Sequence, residues 1–223
     1  EFNIDEIRKA GKILELGSGN GELWNYYFKN ETLLGYGMDI TLSDFSEGMV
    51  AHMQKKHCDE RISVKKIDIM DIPFENETFD LIIANSMLYH VRDIDLALSE
   101  VRRVLKKGGS FYCSTLGIHG MTQYLYSALD ELGISHTPES NISFTLQNGI
   151  QLLKKQFGKV ERCDYEDALA IDKVEDYLEY IYSMASMQGL EQKYYHTLLD
   201  YFNSQKENGY LHVPKEYGMF VCE

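Results

Sequence analysis

The sequence predicts an α/β layered fold, a doubly wound, mostly parallel sheet with helices on both faces and a last strand running antiparallel. Three observations predict it. Short apolar runs alternate with longer stretches of helical periodicity, the pattern of strands joined by crossover helices. The first apolar run empties into a glycine-rich turn and a helix start. The chain has 223 residues, 44% of them apolar and 26% charged, which is enough for one well-formed core, and no linker, repeat or low-complexity stretch divides it. The expectation is a single domain over 1–223, with residues 12–114 as its ligand-binding core and 115–223 supplying further helices and the final strands.

Taken in order, the strands are expected at Ile13–Leu16, Ile40–Ser43, Val64–Ile67, Leu81–Ala84 and Phe111–Ser114, each brief, apolar and bounded by turn residues. The clearest helix runs from about Asp95 to Lys107. There Leu98, Val101, Val104 and Leu105 recur at three- and four-residue spacing and mark a buried face. Asp95 is placed to accept from the first free N–H groups. Lys106 and Lys107 oppose the negative end of the dipole, and Gly108 is placed for a left-handed cap. Further helices are expected at Tyr124–Leu132, stopping at Gly133, and at Ile150–Phe157, stopping at Gly158. A strand at Val160–Asp164 precedes a long helical stretch with Val174, Tyr177, Leu178, Ile181, Leu190, Tyr194, Leu198 and Phe202 on apolar faces. Gly218–Cys222 closes the chain as a last strand, able to pair antiparallel at one sheet edge.

Charge and composition narrow the function. Lys+Arg 22 against Asp+Glu 35 leaves a formal net charge of −13, so no basic surface is offered to a phosphate backbone and nucleic acid is excluded as a partner. The apolar runs are too short to cross a bilayer and no signal segment opens the chain, which points to a cytoplasmic protein without membrane attachment. Cys58, Cys113, Cys163 and Cys222 show neither Cys-x-x-Cys pairs nor histidines at zinc spacing. Free, mostly buried thiols and no metal site are expected. Oligomeric state cannot be read.

The sharpest local signal is Ile13-Leu14-Glu15-Leu16-Gly17-Ser18-Gly19-Asn20-Gly21, a buried strand entering three alternating glycines with a helix beginning near Glu22. Glycine is needed where a backbone turns tightly and lets a ligand approach the main chain, and the N–H groups of the helix then face that ligand. The third glycine comes one residue early for the nicotinamide pattern G-x-G-x-x-G, and Glu22 stands where that glycine is expected. Glu15, two residues before the first glycine, would repel a pyrophosphate and suits a cationic ligand.

This Glu-x-Gly-x-Gly-x-Gly arrangement resembles the cofactor loop of the class I S-adenosylmethionine-dependent methyltransferases. The resemblance implies a seven-stranded Rossmann-like sheet and S-adenosylmethionine as cofactor, held by Glu15, Gly17, Ser18, Gly19 and Gly21. Asp44, within Asp44-Phe45-Ser46-Glu47-Gly48-Met49, is similar to the acid that holds the ribose hydroxyls, with Phe45 and Met49 beside it; Asp39 is the rival, without that context. Asp68 and Ile69, in Asp68-Ile69-Met70-Asp71-Ile72-Pro73-Phe74, are similar to the adenine-binding turn. Phe79 to Val91 resembles the fourth strand and its exit, where Asn85 and Ser86 reach the carboxyl edge that binds ligands in open parallel sheets. Arg103-Val104-Leu105-Lys106-Lys107-Gly108-Gly109 completes the pattern. The matches run from about Lys12 to Ser114 and lie closest to the small-molecule branch. Relatives commonly carry an N-terminal helical segment that closes over the cofactor, and only about a dozen residues precede the loop strand here.

A small-molecule methyl acceptor is therefore expected, its identity and methylated atom unread. In-line displacement from a sulfonium needs positioning and exclusion of water more than a covalent nucleophile. If the acceptor carries a proton, His90 is the best-placed base and Tyr89 beside it could orient the acceptor. The plainer reading has His90 capping a loop and Tyr89 filling the core. From a different class comes a non-catalytic module that binds the cofactor or its demethylated product as a sensor.

Overall fold

The computed structural model describes residues 9–24, 38–56, 59–136, 142–184, 187 and 191–223. Cys58, Leu190 and any segment upstream of residue 9 lie outside them. The elements run β1 (Lys12–Leu16), β2 (Asp39–Asp44), α1 (Glu47–Lys56), β3 (Ile62–Lys66), β4 (Phe79–Asn85), α2 (Ile94–Val104), β5 (Leu105–Leu116), α3 (Met121–Glu131), α4 (Gly149–Leu153), β6 (Val160–Ile171), α5 (Val174–Tyr182), α6 (Glu191–Ser204) and β7 (Leu211–Cys222). Seven strands make one sheet in the order β3-β2-β1-β4-β5-β7-β6. Strand pairs β1/β2, β1/β4, β2/β3 and β4/β5 are parallel. Lys159 and Glu223 exchange both backbone hydrogen bonds, the mark of an antiparallel pair, so β6 and β7 close one edge as the sequence predicts.

By packing, the chain divides into two compact units, one of Glu1–Thr115, Ser143–Cys163 and Gly218–Glu223, the other of Leu116–Ile142 and Asp164–Tyr217. The first has a core on each side of β1. Leu14 and Leu16 pack with Ile82, Leu98, Val101 and Phe111 on one side. Ile13 packs with Trp24, Ile40, Leu42, Met53 and Tyr112 on the other. Alternate residues of a central strand thus serve opposite layers. The second unit has its own core, built on Leu125, Leu129, Tyr177, Leu178, Leu198 and Phe202. There α3 ends as the sequence predicts. Gly133 is left-handed at φ 65°, its N–H bonds the Asp130 carbonyl, and the Ile134 N–H reaches back to Leu129, which satisfies the last carbonyls of the helix.

Two helix boundaries depart from expectation. The helix expected over Asp95–Lys107 spans Ile94–Val104, and its cap is Asp93, whose carboxylate accepts from the Leu96 N–H. Asp95 instead pairs with Lys155 at 2.7 Å. Beyond Val104 the chain is claimed by the sheet. Leu105 pairs with Phe79 and Ser110 with Leu81, so Lys106–Gly109 bulge opposite Asp80, and Lys106 holds the Asp80 carboxylate at 2.7 Å. Gly108 is left-handed, at φ 75°, within that bulge and not at a helix cap. Gly109 is needed because a Cβ there would lie 2.8 Å from the Asp80 carbonyl oxygen. The helix expected over Ile150–Phe157 is a short one, Gly149–Leu153, passing into turns before Gly158.

The cap assignment has a measurable consequence. Asp93→Ala should cost about 1 kcal/mol in urea unfolding, while Asp95→Ala, which removes only an exposed pair, should cost less than about 0.5 kcal/mol; the reverse order would reinstate Asp95 as the cap.

Candidate functional site

Strand order reverses between β1 and β4, because β2 leaves β1 on one side and β4 arrives on the other. Loops at the carboxyl ends of strands diverge at such a point and leave a crevice. A cavity of about 450 Å³ lies at these ends, within the range of small-molecule sites. Leu16 and Gly17 from β1, Asp44 and Phe45 from β2, Ile67 to Met70 after β3, and Ser86, Met87 and His90 to Arg92 after β4 line it.

The loop after β1 turns through three left-handed glycines, Gly17 at φ 66°, Gly19 at 55° and Gly21 at 73°, a backbone that L side chains rarely adopt. Gly17 has a second reason to lack a side chain, since an added Cβ would stand 2.7 Å from the Met87 Cβ. Around Gly19 nothing lies within 4 Å of such an atom; that turn faces open space. Ser18 stitches the loop to β2. Its N–H donates to the Ser43 carbonyl at 2.8 Å and its hydroxyl accepts from the Ser43 N–H at 3.1 Å. The Gly19 N–H donates to Asp44 Oδ2 at 2.9 Å, and the Ser46 N–H donates to Oδ1 at 2.8 Å. Asp44 is thus aimed by two backbone donors, whereas its rival Asp39 sits at the opposite end of β2, in register with Lys12.

Glu15 departs most from expectation. It is 3% exposed and its carboxylate accepts from the Trp24 indole N–H at 2.8 Å, so it lies behind the loop and not in the cavity lining. Burial pushes its carboxyl up to about 7, helped by the Asp44 charge and opposed by hydrogen bonds from Trp24 and Ser18.

On the far wall, Asp68 accepts from the Met70 N–H at 2.9 Å in a tight turn that also bonds the Asp71 N–H to the Asp68 carbonyl. Ile69 beside it is buried. Phe45 is 68% exposed, an apolar ring left at the cavity wall. At the end of β4, Ser86 adopts φ 49° without being glycine. Its N–H donates to both the carbonyl and the hydroxyl of Ser114, and that hydroxyl donates to Asn85 Oδ1 at 3.2 Å. His90 ends a one-turn helix, Leu88–His90, with its N–H on the Met87 carbonyl; the Tyr89 and His90 rings lie 4.4 Å apart.

Of the residues singled out in the sequence, Gly17, Asp44, Phe45, Asp68, Ile69, Ser86 and His90 meet in one lining. Glu15, Ser18, Gly19, Gly21, Met49, Asn85 and Tyr89 are not among its lining residues. Sequence reading missed Met87 and Arg92. Met87 had no signal, because its role is set by the closeness of a glycine seventy residues away in sequence. Arg92 had one, a cation two residues past the expected base. Among the described residues no group of three His, Cys, Asp or Glu could hold a metal, and no helix is long and apolar enough to cross a membrane.

The chain is similar to known proteins in sequence and in fold. The methyltransferase domain family matches residues 14–113. Malonyl-[acyl-carrier protein] O-methyltransferase of Priestia megaterium is 27% identical over 202 residues, covering 88% of this chain and 65% of that protein. Demethylmenaquinone methyltransferase of Staphylococcus aureus is 33% identical over 108 residues, 48% of this chain and 44% of that protein. The chain thus spans less than two thirds of the length of either relative. Among solved structures, the YcgJ protein of Bacillus subtilis superposes with a TM-score of 0.62 at 14% identity, over 94% of this chain and 90% of that one. The fold is that of a Rossmann-like methyltransferase. The chain is thus similar to methyltransferases over residues 14–113 and, at lower identity, over most of its length.

The buried carboxyl of Glu15 gives a pH signature. With its acidity near 7 in the folded chain and 4.5 as its ordinary value, the folded state binds the proton more tightly. Wild-type stability should therefore fall between about pH 4.5 and 7 and stay lowered above, by on the order of 3 kcal/mol in full. Glu15→Gln keeps an acceptor for Trp24 without a charge, so its urea stability relative to wild type should rise across that window; a difference flat with pH would contradict the assignment.

Proposed function

We propose that the chain transfers the methyl group of S-adenosylmethionine to a small-molecule acceptor, acting as one methyltransferase domain in the cytoplasm. The observation that carries this reading is the convergence of Gly17, Asp44, Asp68, Ile69, Ser86 and His90, from the ends of β1, β2, β3 and β4, on one cavity. The lining suits the cofactor. The left-handed turn at Gly19 opens onto free space, and carboxylates stand where a vicinal diol and an exocyclic amine need acceptors. Ile67, Ile69 and the exposed Phe45 ring supply apolar surface for a purine. When bound, the cofactor supplies an electrophilic methyl on a sulfonium with a neutral thioether as leaving group.

The residues then divide the work. Asp44, fixed by the Gly19 and Ser46 N–H groups, holds the ribose hydroxyls, and Asp68 and Ile69 hold the adenine edge. Glu15 acts through the loop, since its hydrogen bond to Trp24 pins the strand from which Gly17 turns. Ser18, Gly21, Met49 and Asn85 shape the same walls. At the β4 exit His90 removes the acceptor proton where there is one, and the Tyr89 ring orients the acceptor. The name of one relative, an O-methyltransferase, favours an oxygen acceptor, and the acidic chain disfavours nucleic acid.

Asp44→Ala should weaken binding of S-adenosylhomocysteine in calorimetry by about 1 to 3 kcal/mol, and His90→Gln should lower turnover without changing that affinity. Methyl release from labelled cofactor across an acceptor panel tests the activity itself: binding of both cofactor forms with no turnover on any acceptor would favour a non-catalytic sensor, and unchanged binding by Asp44→Ala would displace the site.

A further inference from the structure

Among the described residues the cavity lining holds one formal cation. Arg92 lines it together with Asp44 and Asp68. The other described arginines spend their guanidinium groups on the protein itself. Arg61 forks onto Asp59, Arg103 onto Glu100, Arg102 bonds the Leu105 carbonyl, and Arg162 the Leu146 carbonyl. Among the described residues Arg92 makes no hydrogen bond or ion pair. Its acidic neighbours in sequence are engaged elsewhere, Asp93 on the Leu96 N–H and Asp95 on Lys155. Arg92 is exposed on the open part of the lining, where a guanidinium without a protein partner can grip an arriving oxyanion with two N–H donors.

The cofactor does not call for this charge. It is net cationic, its own carboxylate is accompanied by an ammonium and a sulfonium, and Asp44 and Asp68 already set the local potential to favour it. A further cation on that wall opposes cofactor binding unless a second ligand brings the counter-charge. Resting on the methyltransferase reading above, we propose that Arg92 anchors an oxyanion, a carboxylate or phosphate, carried by the methyl acceptor. Arg92 stands two residues beyond His90 on the β4 exit, so the acceptor would be gripped at its anionic group on the same segment that offers the base. An arginine is thus a specificity residue here: neutral analogues of the acceptor lose the grip and keep access to the cavity.

The test uses the full chain loaded with S-adenosylhomocysteine and titrated in a calorimeter with malonate, with inorganic phosphate and with uncharged malonamide. Wild type should bind at least one oxyanion and not the amide. Arg92→Gln should weaken that oxyanion by roughly ten- to hundredfold, and Arg92→Lys should fall between, since it keeps the charge without the fork. Affinity for S-adenosylhomocysteine should stay within about twofold in both variants. Oxyanion binding that ignores the substitution, or no oxyanion binding by wild type, would overturn the proposal. So would a loss of S-adenosylhomocysteine affinity in Arg92→Gln, because the guanidinium would then serve the cofactor's own carboxylate. Failure of wild type to bind S-adenosylhomocysteine at all would remove the methyltransferase reading itself, an outcome distinct from loss of the oxyanion alone.

Discussion

The tie between the first turn and the second strand is the constraint on which the site depends. A chain leaving β1 through three left-handed residues has no ladder of its own to hold it, and glycine makes such a path accessible without making it unique. The Ser18 bonds to Ser43 and the Gly19 N–H on Asp44 remove that freedom. The same contacts aim the Asp44 carboxylate. One set of hydrogen bonds therefore shapes the backbone cradle and orients the acid that faces it, and loss of either partner disturbs both.

The strands and the chemistry-bearing turns were legible because they are local. β1 and β4 are central strands buried on both faces, and such strands read as unbroken apolar runs; the glycine turn is written in three residues. Boundaries fixed by distant partners were less legible. The α2 helix yields Leu105 to the sheet because Phe79 is waiting beside it, and periodicity alone carries no sign of that pairing. Asp93 and Asp95 are equivalent as capping residues in sequence, and a two-residue shift in where the helix begins decides between them.

The site shows the same division. Asp44, Asp68 and Ser86 follow strands by fixed offsets, so their convergence follows from the topology. Glu15 has the residue type of a ligand contact, yet its side chain turns to Trp24 behind the loop, because the alternation of a central strand sends successive side chains to opposite layers. A carboxyl in that place costs solvation energy and fixes the angle at which the strand enters its turn. Its contribution to the ligand is made through backbone.

Ser86 offers a different lesson. A left-handed backbone at a non-glycine residue costs on the order of 1 kcal/mol or more, and here it is held by a pair of acceptors on Ser114. Glycine would relax that bend at once, yet the rim carries a hydroxyl. The discomfort of the main chain is thus a gauge of selection: how far a Ser86→Gly chain gains in stability and loses in discrimination measures what one oxygen is worth at the lip of the crevice.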